Sequence, residues 1–92
     1  MAAGILIIED ELTLAKNIAT FLKRSGYEAC VASTGEDGLA QLESFRPEAV
    51  LLDYALPGIS GLDVLKRIKS LDAGIPVILM TGHGSELVRW RR

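Results

Sequence analysis

Three carboxylates stand where chemistry could be done. Glu9 and Asp10 directly follow the apolar run Ile5-Leu6-Ile7-Ile8, and Asp53 directly follows Ala49-Val50-Leu51-Leu52. Carboxylates gathered in one small space repel each other unless a cation or a proton sits among them. Magnesium takes an octahedron of hard oxygens, usually one or two carboxylates and several waters. The group therefore reads as a Mg²⁺ site beside a reactive aspartate. Taken alone, Asp10 is equally well read as a helix N-cap, since acids are favoured at a helix start. Asp53 is followed by Tyr54-Ala55-Leu56-Pro57-Gly58-Ile59-Ser60-Gly61. The proline and two glycines let backbone approach a ligand closely and hold the loop in a set shape, which weighs against a plain turn aspartate. Thr81 follows the run Val77-Ile78-Leu79-Met80, where it either only terminates a strand or, beside a phosphoryl group, serves as a hydroxyl donor. His83, between two glycines, reads as a solvent-facing loop residue rather than a general base.

These positions make sense only if the apolar runs are strands buried on both faces, as in a parallel sheet. Carboxylates at the carboxyl ends of neighbouring parallel strands converge on one crevice, where open α/β sheets bind ligands. The rest of the chain fits this pattern. A strand over 5–9 leads to a helix near 11–25 with Leu12, Ala15, Ile18, Ala19 and Leu22 on one face, stopped by Gly26. A second strand spans 27–32, and Thr34-Gly35-Glu36-Asp37 opens a second helix carrying Leu39, Leu42 and Phe45. Pro47 forces an extended entry into a strand over 49–53. Ser60 and Asp63 form a capping arrangement for a third helix with Leu62, Leu65, Ile68 and Leu71 inward. Pro76 leads a strand over 76–80, and from Gly82 a fourth helix is expected, capped by Ser85. This alternation predicts an α/β fold, a doubly wound parallel sheet with right-handed crossovers.

Ninety-two residues allow one small domain, expected to span 1–92. Hydrophobic residues make up 49% and charged residues 24%, which argues against disorder. The formal charge of −2 is uneven: Arg89, Arg91 and Arg92 crowd the last four positions. That basic end is expected to be a solvated terminus, and no nucleic-acid binding is expected. Cys30 is the single cysteine, so no internal disulfide can form, and a buried strand position suits it. No signal peptide or membrane-length apolar run is visible, so the expected location is cytoplasmic and no membrane partner is expected. Trp90 is either a core plug or a partner anchor.

Three segments together, ILIIEDE, LLDYALPGISGLDVL and PVILMTGHG, resemble the receiver domain of two-component response regulators over essentially the whole chain. The resemblance implies a flavodoxin-like fold and a role for each residue. Asp53 would accept a phosphoryl group from a phosphohistidine of a sensor histidine kinase or phosphotransfer protein. Glu9 and Asp10 would hold Mg²⁺ together with Asp53 and the backbone carbonyl of Ala55. Thr81 would hydrogen-bond the acquired phosphoryl group and act as a switch. Such a domain promotes its own phosphorylation in a phosphorelay, and no separate substrate turnover is expected.

The chain departs from the family at its C-terminal end. Receivers continue through a fourth helix to a fifth strand and a fifth helix; here the expectation is a truncated receiver lacking the fifth strand and fifth helix. The family's fifth-strand lysine, which binds phosphate, and its aromatic switch residue are absent, so phosphorylation is expected to be impaired. A bared flank of roughly 400 Å² would forgo about 10 kcal/mol of burial. That is comparable to the whole stability of a domain, about 5–15 kcal/mol, and a homodimer through the open sheet edge is one remedy. The alternative reading is an interaction or dimerisation module derived from a receiver and never phosphorylated. A haloacid-dehalogenase-type hydrolase would need a second acid two residues beyond Asp53, where Ala55 stands.

Overall fold

In the computed structural model, residues 2–81 and 86–89 are described, with Thr81 and 86–89 described by their backbone. Strand β1 (Gly4–Ile8) is followed by helix α1 (Leu12–Arg24), β2 (Glu28–Ala32), α2 (Gly35–Phe45), β3 (Ala49–Asp53), α3 (Gly61–Leu71), β4 (Val77–Thr81) and β5 (Glu86–Arg89). The sheet order is β2-β1-β3-β4-β5. The first four strands run parallel, with Leu6 opposite Cys30, Ile8 opposite Leu52, and Leu52 opposite Leu79. This is the α/β doubly wound arrangement that the alternation predicts.

Period-two alternation divides the strands between two faces. Leu6, Ile8, Val50, Leu52, Val77 and Leu79 join Leu42, Val64, Leu65 and Ile68 in the larger core beneath α2 and α3. Ile7 turns the other way and packs with Ala15 and Ala19 of α1. Val64 and Ile68 are fully buried, each contributing about 1.5–3 kcal/mol by burial. Three leucines expected inward are exposed instead: Leu12, Leu62 and Leu71. Leu12 and Leu71 are terminal residues of their helices and Leu62 lies in a first turn. Cys30 is half-buried on edge strand β2, where its Sγ donates to Gln41 Oε1 at 2.7 Å and burial pushes the thiol pKa up.

The helix ends follow local chemistry. Thr34 Oγ1 accepts from Asp37 N and Ser60 Oγ from Asp63 N, each satisfying one of the free N–H groups of a first turn. Helix α1 closes in a Schellman motif: Gly26 N donates to Lys23 O, Tyr27 N to Leu22 O, and Gly26 takes φ +96°. Helix α2 closes on Arg46 at φ 53°, a left-handed conformation without a glycine to relieve it.

The C-terminal end departs from expectation. The fourth helix predicted from Gly82 is not formed over 86–89, which instead make β5, antiparallel to β4 with Thr81 opposite Glu86 and Ile78 opposite Arg89. Four residues, two of them charged, cannot fix a helix by their own propensity. The free N–H and C=O groups along β4 supply a partner for any extended segment that returns beside them. The edge of β4 is therefore paired over Ile78–Thr81 rather than bared. The parallel fifth strand and the helix after it do not occur among the described residues. Ser85, His83 and Trp90 lie outside them.

Candidate functional site: an acidic crevice at the β1–β3 switch

Sheet order reverses at β1, since the chain moves from β1 outward to β2 and then back to β3 on the other side. Such a reversal leaves a crevice at the carboxyl ends of the two central strands. Ile8 pairs with Leu52 there, so Glu9 and Asp53 are the next residues of adjacent strands. One carboxylate oxygen from each of Glu9, Asp10 and Asp53 lies within 4.8 Å of the other two. Glu9 and Asp53 are buried, while Asp10 is exposed.

Backbone amides aim two of these groups. Glu11 N donates to Glu9 Oε2 at 3.0 Å, and Ala55 N donates to Asp53 Oδ1 at 3.1 Å. Main-chain bonds hold the roots of both loops: Glu9 N to Ala32 O at 3.0 Å and Tyr54 N to Met80 O at 2.8 Å. The cap of α1 is Glu11, whose Oε1 accepts from Leu14 N at 2.6 Å. The capping role open to Asp10 thus belongs to its neighbour, and a carboxylate oxygen of Asp10 lies in the cluster. The acidic run Glu9-Asp10-Glu11 was a signal for this division of labour, but spacing alone could not say which acid caps.

The electrostatics are those of an uncompensated anionic pocket. Burial pushes the Glu9 pKa up from its ordinary 4.5 to about 7; the Glu11 amide opposes the shift and the Asp53 charge adds to it. Burial also raises Asp53, against the pull of the Ala55 amide. A proton held near neutrality on Glu9 marks a place that favours added positive charge. Three hard oxygen donors this close, two buried and one open to solvent, fit Mg²⁺ with water completing its shell. Thr81 follows Met80, the residue paired with Asp53, so its backbone stands at the crevice. The loop glycines serve the fold differently from expectation. Gly58 takes φ +76° in the turn, and Gly61 is pressed against other backbone rather than held open for a ligand.

Crossover order and acidic crevice together define a doubly wound α/β domain with a candidate site at its strand ends. Residues 5–90 match the family model of the response regulator receiver domain. The chain belongs to that family. It is 42% identical over 84 residues to sensory transduction protein RegX3 of Mycolicibacterium smegmatis, covering 91% of this chain and 36% of that one. It thus spans little more than a third of that relative's length. Among solved structures, a CheY-like receiver domain protein from Methanospirillum hungatei superposes with a TM-score of 0.87 at 30% identity, over 92% of this chain and 68% of the other. Response regulator TrrA of Thermotoga maritima, solved with Mg²⁺ and BeF, gives 0.82 at 34% identity over 86% and 69%. Among the described residues, no helix is long and apolar enough to cross a membrane.

Proposed function

We propose that this chain receives a phosphoryl group on Asp53 in a Mg²⁺-dependent phosphorelay, the donor being a phosphohistidine of a sensor kinase or phosphotransfer protein. The observation that carries the reading is the convergence of Glu9, Asp10 and Asp53 within 4.8 Å at the β1–β3 switch. Asp53 Oδ1 is engaged by the Ala55 amide, which leaves Oδ2 as the nucleophile. Oδ2 attacks phosphorus as the P–N bond to the imidazole breaks; the ring nitrogen keeps the bonding pair and is protonated on release. Glu9, Asp10 and Asp53 would hold a Mg²⁺ whose charge would offset that of the phosphoryl oxygens, which is most of what phosphoryl transfer asks of a protein.

Glu9, Asp10, Asp53 and the Ala55 carbonyl are the assigned ligands. Burial keeps bulk water from competing for the Asp53 oxygens, and the Ala55 amide fixes the carboxylate rotamer. Thr81, at the neighbouring strand end, is assigned the hydrogen bond to the acquired phosphoryl group. Support comes from the donor set, from family membership, and from the Mg²⁺–BeF complex of TrrA, which is 34% identical to this chain.

The test is thermal unfolding with and without Mg²⁺ plus beryllofluoride, a mimic of an aspartyl phosphoryl group. The midpoint is expected to rise, because a ligand that prefers the folded state stabilises it. An unchanged midpoint would remove the phosphoacceptor assignment and favour the unphosphorylated interaction module.

A further inference from the structure

Gly61 is the first residue of α3 and sits against the chain that carries Asp53. Its N–H donates to Tyr54 O at 3.1 Å. A Cβ built on it would lie 2.5 Å from Asp53 O, 2.6 Å from Tyr54 O and 2.7 Å from Tyr54 Cα. Those gaps are roughly 1 Å short of ordinary non-bonded contact, about 3.5 Å. All three atoms are backbone, so no rotamer change relieves the overlap. Gly35 and Gly38 are also tight, but their nearest neighbours are side-chain atoms of Ile59, Val64 and Ile8 in the core, not the backbone that carries Asp53.

Helix α3 cannot retreat freely either, because Val64, Leu65 and Ile68 lock it into the core. Only the Asp53–Tyr54 peptide is left to yield. Its displacement moves the Asp53 carboxylate at one end and, at the other, Ala55, whose amide orients that carboxylate.

We infer that Gly61 is a positioning residue for the phosphoacceptor: by lacking a side chain it lets α3 abut the Asp53–Tyr54 peptide and hold the Asp53 carboxylate in register with Glu9 and Asp10. The inference rests on the metal and phosphoacceptor assignments above. It goes beyond them by making the alignment of the site depend on a residue with no group able to touch Mg²⁺ or phosphate.

Calorimetric titration of the whole chain with Mg²⁺ alone, and with Mg²⁺ plus beryllofluoride, tests it in wild type, Gly61→Ala and Ser60→Ala. Ser60→Ala loosens the same helix start by removing its cap, without adding bulk against Asp53. Titrations are run at low temperature with trimethylamine oxide, whose exclusion from protein surface keeps destabilised variants folded. Gly61→Ala is expected to lose about tenfold to a hundredfold in beryllofluoride affinity, as a misplacement of about 1 Å costs a reacting site. Ser60→Ala is expected to stay within about twofold, as an independent site does. In Gly61→Ala the amide resonance of Ala55 is expected to shift, and in Ser60→Ala to stay.

Wild-type affinity in a folded Gly61→Ala would overturn the inference and leave the site assignment standing. Equal losses in both variants would also overturn it, since helix stability would then explain the effect. So would a Gly61→Ala chain that stays unfolded where Ser60→Ala folds, which would make the glycine a requirement of the fold. Absence of binding in wild type would instead strike the underlying assignment.

Discussion

Glu9 and Asp53 occupy equivalent places on adjacent parallel strands, each one residue beyond the Ile8–Leu52 pair, and both are buried. Burial raises the pKa of Glu9, and the charge of Asp53 beside it adds to the shift.

A pH dependence follows from that shift. The folded chain holds a proton on Glu9 between about 4.5 and about 7, where the unfolded chain has released it. More protons on the folded state mean that stability falls as pH rises. Without metal, the thermal midpoint is expected to decline from pH 4.5 toward pH 7 on account of this group. Stabilisation by Mg²⁺ is expected to grow over the same interval, because the metal needs the deprotonated carboxylate. Melts at a series of pH values, with and without Mg²⁺, check both trends; a Mg²⁺ effect that shrinks as pH rises would contradict them.

Asp10 is the exposed member of the cluster, so its removal should act on the metal more than on the fold. Asp10→Ala is expected to weaken Mg²⁺ binding by about tenfold, equivalent to about 1.4 kcal/mol, with little change in the metal-free midpoint. Titration calorimetry decides it, and unchanged affinity would remove Asp10 from the ligand set.

Glu11 offers the reverse pattern. Its side chain caps α1 through Leu14 N, so Glu11→Ala should cost about 1 kcal/mol of stability. The amide that holds Glu9 belongs to the backbone and survives the substitution. Mg²⁺ affinity should therefore hold while the midpoint falls, as denaturant melts and titration together would show.

Packing of α2 on β1 depends on Gly38, where a Cβ would collide with Ile8 Cδ1. Gly38→Ala is expected to destabilise by about 1–3 kcal/mol through overpacking. Trimming the clashing methyl with Ile8→Val should recover part of that loss. Additive effects in the double-mutant cycle would mean that the two residues do not meet.

Much of this was legible in the residues because the strand signals were unambiguous. The runs ending at Ile8, Leu52 and Met80 are too apolar to face water on either side, and the acids that follow them mark the strand ends. Thr34 and Ser60 announced their helices by cap chemistry that acts within three residues. What escaped was decided at longer range. Leu87 and Val88 form β5 because the edge of β4 lay open to them, which no local window contains. Leu12, Leu62 and Leu71 have the right helical period but sit at or near helix ends and are exposed. Gly61 looked like a loop glycine, and its contact with the Asp53–Tyr54 peptide depends on how closely a packed helix approaches.

The residue proposed to accept phosphate is Asp53. Incubation with acetyl phosphate and Mg²⁺, followed by mass-spectrometric mapping of the modified peptide, tests it most directly. One labile phosphoryl group is expected on Asp53, lost in Asp53→Asn and on chelation of Mg²⁺. Label that persists in Asp53→Asn, or none in the wild-type chain with Mg²⁺ present, would contradict it.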